Sequence, residues 1–439
     1  MGETVLRKAE SFTREQKKVL LLSCLGGILE YYDFIIYIFF AHIIEKLFFA
    51  NSSAYIAMLK TLAIFSIGYL FRPLGGIVFS HFGDRYGRKV VFLLTVFFMA
   101  VPSLAIGLLP TTGQIGSLAP CLLLLFRIMQ GLALGGEIPA AITFIAEHTP
   151  RVRRGFALST LFLGINLGLL FGSGVTTLMT SILPEEQILA YGWRIPFIMG
   201  GILGLGSIFL RRYLHETRAF KTLRPNDLHR VPILFLLQHS AKNVMRGMLI
   251  VAVSSVSVFL YLYWPQYLHQ YLHYDFALIM RINTVGTLIL SGTILLGGIL
   301  VDRVGYRRVY LGATFCLMGL TYFLFGLFNL QNIGWVISSY VLFSVIFGLI
   351  PAAYSFMLTD FFSTSVRYTG VATSYNLSFA LFGGLSPIVC TIAIRIFDSV
   401  LAPGVYLTII AAVSFGVCYF DKKKSRILDS YEHLGESYE

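Results

Sequence analysis

Charge is scarce in this sequence: Asp, Glu, Lys and Arg make up 13% of 439 residues, about half the share in an ordinary soluble domain. Cysteine is scarcer still. The five present, Cys24, Cys121, Cys316, Cys390 and Cys418, sit inside apolar runs with no metal-ligand spacing. They read as small buried hydrophobes, so neither a disulfide framework nor a metal site is expected. No nucleophile–base set and no phosphate-binding loop stand out, so an enzyme is not expected. Alternating segments of about ten residues, the mark of a membrane β-barrel, are missing. The basic N-terminus leads into a long apolar span carrying acids, without a small-residue cleavage site, so it does not read as a removable signal.

What the sequence has in excess is apolar runs. Hydrophobic residues make up 56%, gathered into blocks of roughly 18–25 residues, each long enough to cross a hydrocarbon layer of about 30 Å. In a dry layer the backbone must pair with itself, so runs of this length predict helices. Twelve are expected, near 18–42, 56–81, 89–109, 118–146, 155–180, 193–213, 247–271, 277–300, 308–328, 333–359, 368–395 and 402–420. The net charge of +12 is distributed unevenly. Lys and Arg collect at both termini and in alternate loops: Arg85/Arg88/Lys89, Arg151/Arg153/Arg154, the segment from Arg211 to Arg246, Arg303/Arg307/Arg308 and Lys422–Lys424. The loops between them hold almost none. That is the positive-inside pattern with both termini cytoplasmic, and it argues against a nucleic-acid partner.

The longest polar interruption, 214–246, contains Pro225 and Pro232 and reads as a cytoplasmic linker, with room for a short surface helix. It separates a bundle over 18–213 from a second over 247–420, with tails over 1–17 and 421–439. The halves echo each other. Gly83-Asp84-Arg85-Tyr86-Gly87-Arg88-Lys89 after the second span matches Val301-Asp302-Arg303-Val304-Gly305-Tyr306-Arg307-Arg308 after the eighth. Pro139-Ala140-Ala141, followed by Glu147 and Arg154-Gly155, matches Pro351-Ala352-Ala353, followed by Asp360, Arg367 and Gly370. Two parallel six-helix repeats place a substrate path at their interface, near mid-membrane.

The Asp-Arg-x-Gly-Arg-Lys loop resembles the signature of the major facilitator superfamily. Further motifs are Glu30-Tyr31-Tyr32-Asp33-Phe34, Arg72-Pro73-Leu74-Gly75-Gly76, Arg127-Ile128-Met129-Gln130-Gly131 running to Gly135-Gly136-Glu137, Gly192-Trp193-Arg194-Ile195-Pro196-Phe197, Glu216-Thr217-Arg218-Ala219-Phe220, and Phe382-Gly383-Gly384 with Pro387. Together they resemble the metabolite:proton symporters, which include proline/betaine, α-ketoglutarate, shikimate and citrate carriers. The resemblance implies an all-α fold of twelve transmembrane helices in two six-helix bundles, set in a bacterial inner membrane. It implies alternating access, a small organic solute and protons as partners, the lipid bilayer as surroundings, a monomeric working unit and no cofactor besides the coupling proton. Osmosensing members carry a long coiled-coil C-terminal extension; about 19 residues follow the last span here, without heptads, so osmosensing is not expected. Drug antiporters carry a Gly-Pro motif in helix 5. Here Gly164, Gly168 and Gly172 are present without proline, which suits close helix packing.

Ionisable residues inside a span cost roughly 2.5–3.5 kcal/mol each on insertion scales, so those present carry information. They are Glu30, Asp33, Arg72, Arg127 and Glu137. At 1.5 Å per residue, Glu30 lies roughly 18 Å and Asp33 roughly 22 Å from the cytoplasmic end of helix 1, and Arg127 roughly 14 Å from the outer end of helix 4. Glu30, Asp33, Phe34 and Tyr37 share one face of helix 1, an acidic and aromatic stripe that suits a water-filled cavity, with Tyr37 expected to contact the substrate. Arg127 is the expected ligand of a substrate carboxylate, with a permanent ion pair to a helix 1 acid as the alternative. Glu30 or Asp33 is the expected proton carrier. Glu137 suits proton coupling or structure equally, and Arg72 snorkels or pairs with a neighbouring helix. Asn166, Tyr261, Trp264, Tyr375 and Asn376 are expected near the cavity, with Tyr267 beside them. Their aromatic rings could shape an apolar pocket, hold a quaternary ammonium by cation–π contact or simply pack. Pro265 offers a kink in helix 7 for an outer gate.

A cytoplasmic gate is expected from Asp84, Arg85, Arg88, Glu147 and Arg154, with Asp302, Arg303, Arg308, Asp360 and Arg367 as the repeat. Acids and bases at helix ends can pair with each other and face helix dipoles. The resemblance implies that Asp84 latches the two halves together with the outer side open. The composite expectation is proton-coupled uptake of an organic acid, amino acid or betaine. Facilitated diffusion, export without proton coupling, and a non-transporting sensor on the same scaffold are the alternatives.

Overall fold

The computed structural model describes residues 12–50, 52–211, 216, 222 and 231–421. Of the expected linker over 214–246, residues 214–215, 217–221 and 223–230, Arg218 and Phe220 among them, lie outside the described residues, as do the far ends of both tails with Lys422–Lys424.

The apolar runs fold as helices, and no strand is present among the described residues. Six form the first half: α1 (Arg14–Phe39), α2 (Ala54–Leu70 and Arg72–Tyr86, broken at Phe71), α3 (Arg88–Leu108), α4 (Leu118–His148), α5 (Arg154–Ile182) and α6 (Arg194–Arg211). Six form the second: α7 (Pro232–Leu272), α8 (Phe276–Val304), α9 (Tyr306–Phe328), α10 (Ile333–Gly348 and Ile350–Phe361), α11 (Arg367–Ser378, continuing through a π-helical stretch Phe379–Gly383 to Ser386–Phe397) and α12 (Ala402–Phe420). Among the described residues, eleven stretches are long and apolar enough to cross a membrane. The sixth span makes twelve if Glu185–Gly192 and Arg194–Phe209, bent by 41°, count together. The chain is a multi-pass membrane protein.

Local chemistry sets the helix starts. Thr13 and Gln16 form a capping box, the Thr13 hydroxyl accepting from Gln16 N at 3.2 Å and the Gln16 side chain accepting from Thr13 N at 3.0 Å. Asp275 caps α8, accepting from Leu278 N at 2.8 Å. The two motif loops turn on Gly87 and Gly305, at φ 112° and 96°. A side chain is strained there, which explains why both repeats keep glycine at that point. Glu216, at the start of the linker, accepts from Lys89 N at 3.0 Å and meets the N-terminus of α3.

The packing repeats with the sequence. α1 lies on α5 and α3 on α6; correspondingly, α7 lies on α11 and α9 on α12. Between the halves, α8 crosses α5 and α2 crosses α11. Both described ends lie at one face of the bundle. Gln16 Nε2 donates to His148 O at 3.2 Å there, and Arg246 pairs with Asp421 at 3.2 Å. Both motif loops share this face, called the terminal face below.

The room left for a short helix in the linker is used: a helix begins at Pro232 and joins the seventh span across a break at Ser240 (φ −135°). That break, not Pro265, is the non-helical point inside α7. Pro265 is buried within a continuous helix.

Candidate functional site

The helix ends meet at the terminal face. Asp84, at the end of α2, accepts from the backbone N of Thr369 at 2.8 Å and from its hydroxyl at 2.7 Å, in the first turn of α11. Asp302, at the end of α8, accepts from Gly155 N at 2.7 Å and Phe156 N at 2.9 Å, in the first turn of α5. Each half thus sends a carboxylate onto the N-terminus of a helix in the other half. There it meets unpaired N–H groups and the positive end of the helix dipole. A second layer surrounds the first. Arg88 is wholly buried, 3.0 Å from Asp84 and 3.5 Å from Glu147, and donates to Thr364 O at 2.6 Å. Arg367 reaches Glu147 at 2.9 Å. Asp360 takes Arg151 and, at 3.6 Å, Arg154. Deeper in the bundle, the Tyr368 hydroxyl donates to Gly136 O at 2.8 Å and the Asn376 amide to Gly135 O at 2.7 Å.

Seven of the ten expected gate residues therefore meet across the halves. Arg85, Arg303 and Arg308 do not: all three side chains are exposed at the terminal face. Arg85 lies against the ring of Tyr86 at 5.3 Å. Instead Arg307 turns to the end of α12, donating to Cys418 O and Tyr419 O, and Arg151 joins the gate. Thr369, Thr364 and Tyr368 are further partners that sequence reasoning missed. Small hydroxyls and backbone atoms at a helix start carry no distinctive signal.

Above these layers a cavity lies between the halves, lined by Tyr31 of α1, Asn166 of α5, Tyr261 of α7, Tyr354 of α10, and Tyr375 and Phe379 of α11. Asn166, Tyr261 and Tyr375 stand where the sequence placed them. The Tyr261 hydroxyl lies 3.2 Å from Ser344 Oγ. Trp264 does not face this cavity. It is fully buried among Tyr340, Phe343, Phe325 and Phe328, with ring centroids 4.7–5.8 Å away, and so is core. Asn376 is also absent from the lining, because its amide is held on Gly135 between the halves.

The helix 1 acids face elsewhere. Glu30, Asp33 and Glu137 line one small cavity inside the first half, with Met99 and Ala100 of α3 and Ser207 of α6. Arg127 is wholly buried behind the rings of Phe34 (4.8 Å), Tyr37 (4.4 Å) and Phe65 (5.6 Å). Tyr37 donates its hydroxyl to Thr61 O at 3.2 Å. Neither Arg127 nor Tyr37 lines the central cavity, contrary to expectation, because α1 and α2 close over them. The alternative of a direct ion pair is not met either: among the described residues no carboxylate lies within 4.0 Å of Arg127. The link is indirect. Arg127 Nη1 donates to Gln130 Oε1 at 2.9 Å, Gln130 Nε2 donates to Ser103 Oγ at 2.7 Å, and Ser103 faces the Asp33 carboxylate. Gln130 was visible within Arg127-Ile128-Met129-Gln130, one helical turn from Arg127. Ser103 was not. No group of three or more His, Cys, Asp or Glu able to hold a metal occurs among the described residues.

Comparison with known proteins agrees with this architecture. The family model described as the Major Facilitator Superfamily matches residues 23–387. A proline/betaine transporter of Salmonella typhimurium is 33% identical over 412 residues, covering 90% of this chain and 81% of the relative. A glycine betaine/proline/ectoine/pipecolic acid transporter of Dickeya dadantii is 32% identical over 421 residues, covering 93% and 83%. Among solved structures, a proton:xylose symporter superposes with a TM-score of 0.78 at 14% identity, covering 93% of this chain and 96% of that one, which shows the shared fold. The chain is a membrane transport protein of the major facilitator superfamily, in the branch that holds the proline/betaine transporters, and is not an enzyme.

Proposed function

We propose that this protein takes up a small carboxylate-bearing solute, such as an amino acid or betaine, together with protons, by alternating access. One observation carries the reading: a cavity between two pseudo-symmetric halves, closed on one face by ionic layers that can break, with buried carboxylates close by. The similarity to transporters of proline and betaines supports the solute class. In this reading the terminal face is cytoplasmic, the membrane is the bacterial inner membrane, and a monomer suffices. No cofactor beyond the coupling proton is needed.

The aromatic lining of the cavity suits a substituted ammonium group by cation–π contact. Asp33 and Glu30 exchange the proton, with Glu137 in the same small cavity. Ser103 and Gln130 carry the charge state of Asp33 to Arg127. Glu30 precedes Tyr31, which lines the solute cavity, on α1.

The test uses purified protein in proteoliposomes. Proline, glycine betaine, α-ketoglutarate, citrate and shikimate are added singly while labelled solute and external pH are recorded. Proline or glycine betaine entering with external alkalinisation is the expected result. Entry without proton movement would leave a facilitator, and no movement of any solute would overturn the reading.

A further inference from the structure

We propose that Arg72 is the carboxylate ligand of the solute site, reached from the cavity between the Tyr375 and Phe379 rings. The proposal rests on the reading above, that a carboxylate-bearing solute occupies the central cavity, and assigns to it the anionic half of the site.

Arg72 opens the second stretch of α2, directly after the break at Phe71. Its side chain is 1% exposed. The guanidinium carbon lies 5.6 Å from the ring centre of Tyr69, 5.5 Å from Tyr375 and 5.1 Å from Phe379. Nε makes a long contact of 3.4 Å to Asn376 Oδ1. The Tyr375 hydroxyl is near, yet Nη1 and Nη2 make no well-formed hydrogen bond to any described residue. No carboxylate among the described residues lies within ion-pair distance of it. A buried cation without a counter-charge is costly, and breaking up a buried pair by removing its anion destabilises strongly. The gate arginines show the contrast: Arg88 and Arg154 each face a carboxylate. Arg72 carries its fork of donors into rings instead, and a planar fork of this kind matches a carboxylate oxygen for oxygen.

Position separates Arg72 from Arg127. The rings around Arg127 belong to the first half, and none of them lines the cavity. Tyr375 and Phe379 do line it, and both stand against Arg72. A carboxylate at the cavity floor therefore needs only to push these rings aside. A substituted ammonium on the same solute then stays among Tyr31, Tyr261 and Tyr354. Arg72 and Tyr31 come from one half and Tyr261, Tyr354, Tyr375 and Phe379 from the other, so an occupied site touches both. Phe379 also begins the π-helical stretch of α11, where the helix is already loosened.

Binding to the purified full chain distinguishes the outcomes, with glycine betaine and choline as probes. They share a quaternary ammonium, and only the first has a carboxylate. Wild-type protein is expected to prefer glycine betaine by about tenfold or more, the discrimination a charge-assisted hydrogen bond gives. Arg72→Met should bring the two affinities within about twofold by weakening glycine betaine alone, while Arg127→Met keeps the preference. Arg72→Lys, which retains the charge without the fork, should lose some of it, and decides the matter if Arg72→Met does not fold. Full preference retained in Arg72→Met or Arg72→Lys would overturn the assignment, as would loss of the preference in Arg127→Met alone. Wild-type protein that binds neither probe would overturn the solute class and this site with it.

Discussion

Among the described residues, Arg127 has one side-chain hydrogen bond, to Gln130, and three aromatic rings around it. Through Gln130 and Ser103 it is joined to Asp33 by polar groups that have few alternatives in a dry interior. Ser103 has one proton to give, and Met99 O at 3.1 Å competes with Asp33 for it. A charged Asp33 attracts that proton, which makes the serine oxygen a better acceptor for Gln130. A protonated Asp33 releases it to Met99. Under the proposed proton coupling, the hold on Arg127 would follow the proton on Asp33. Ser103→Ala and Gln130→Leu should lower proton-driven accumulation by about tenfold, on the scale of ~1.4 kcal/mol. Exchange of solute without a gradient should fall less. Accumulation and exchange measured side by side check this, and equal losses in both would count against the relay. The acids and arginines themselves were legible as charges inside apolar runs. Their partners were not, because a serine or glutamine in a span has many ordinary uses.

At the scale of helices, much of the motif set concerns packing. In α5, a Cβ on Gly164 would run into the backbone of α1 at Cys24 O, and one on Gly168 into Ile28 O. The four-residue spacing in the sequence reads directly as this contact. A Cβ on Gly174 in the same helix would meet nothing within 4 Å. Gly168→Val should therefore destabilise the protein by ~1–3 kcal/mol, the usual scale of overpacking, and Gly174→Ala should not. Thermal unfolding of the purified variants tests the contrast, and equal melting temperatures would contradict the packing account. Helix existence was legible throughout, because a dry layer leaves the backbone no other choice. The π-helical stretch in α11 and the break at Ser240 were not, since neither coincides with a proline.

For the whole molecule, the hydrogen bonds and ion pairs joining the halves lie toward the terminal face among the described residues. The repeated loops explain themselves here: Asp84 caps α11 and Asp302 caps α5, each across the interface. That pseudo-symmetry was legible as two motifs in register, whereas the target helices were not, since nothing in a loop names its partner. Only Arg151 of these ion pairs is exposed; in the buried ones attraction is largely offset by the cost of desolvating the charges, and each helix cap adds ~1 kcal/mol, so the closure holds as long as the pairs stay together. Asp84→Asn and Asp302→Asn should each shift the population toward an open terminal face, and should slow net uptake while the protein still inserts. Uptake rates compared at equal membrane abundance check this; unchanged turnover in both would contradict the latch.

The central claim is that this closed face opens during transport. Exposed Arg85 and Arg303 stand on opposite halves at that face, so spin labels on Arg85→Cys and Arg303→Cys, in a background with the native cysteines replaced, report the gap directly. The distance distribution should be short for the protein alone and gain a longer component when glycine betaine is added at acidic pH. Asp84→Asn should show that component without solute. A single distance unmoved by solute, pH and Asp84→Asn would contradict alternating access through this gate.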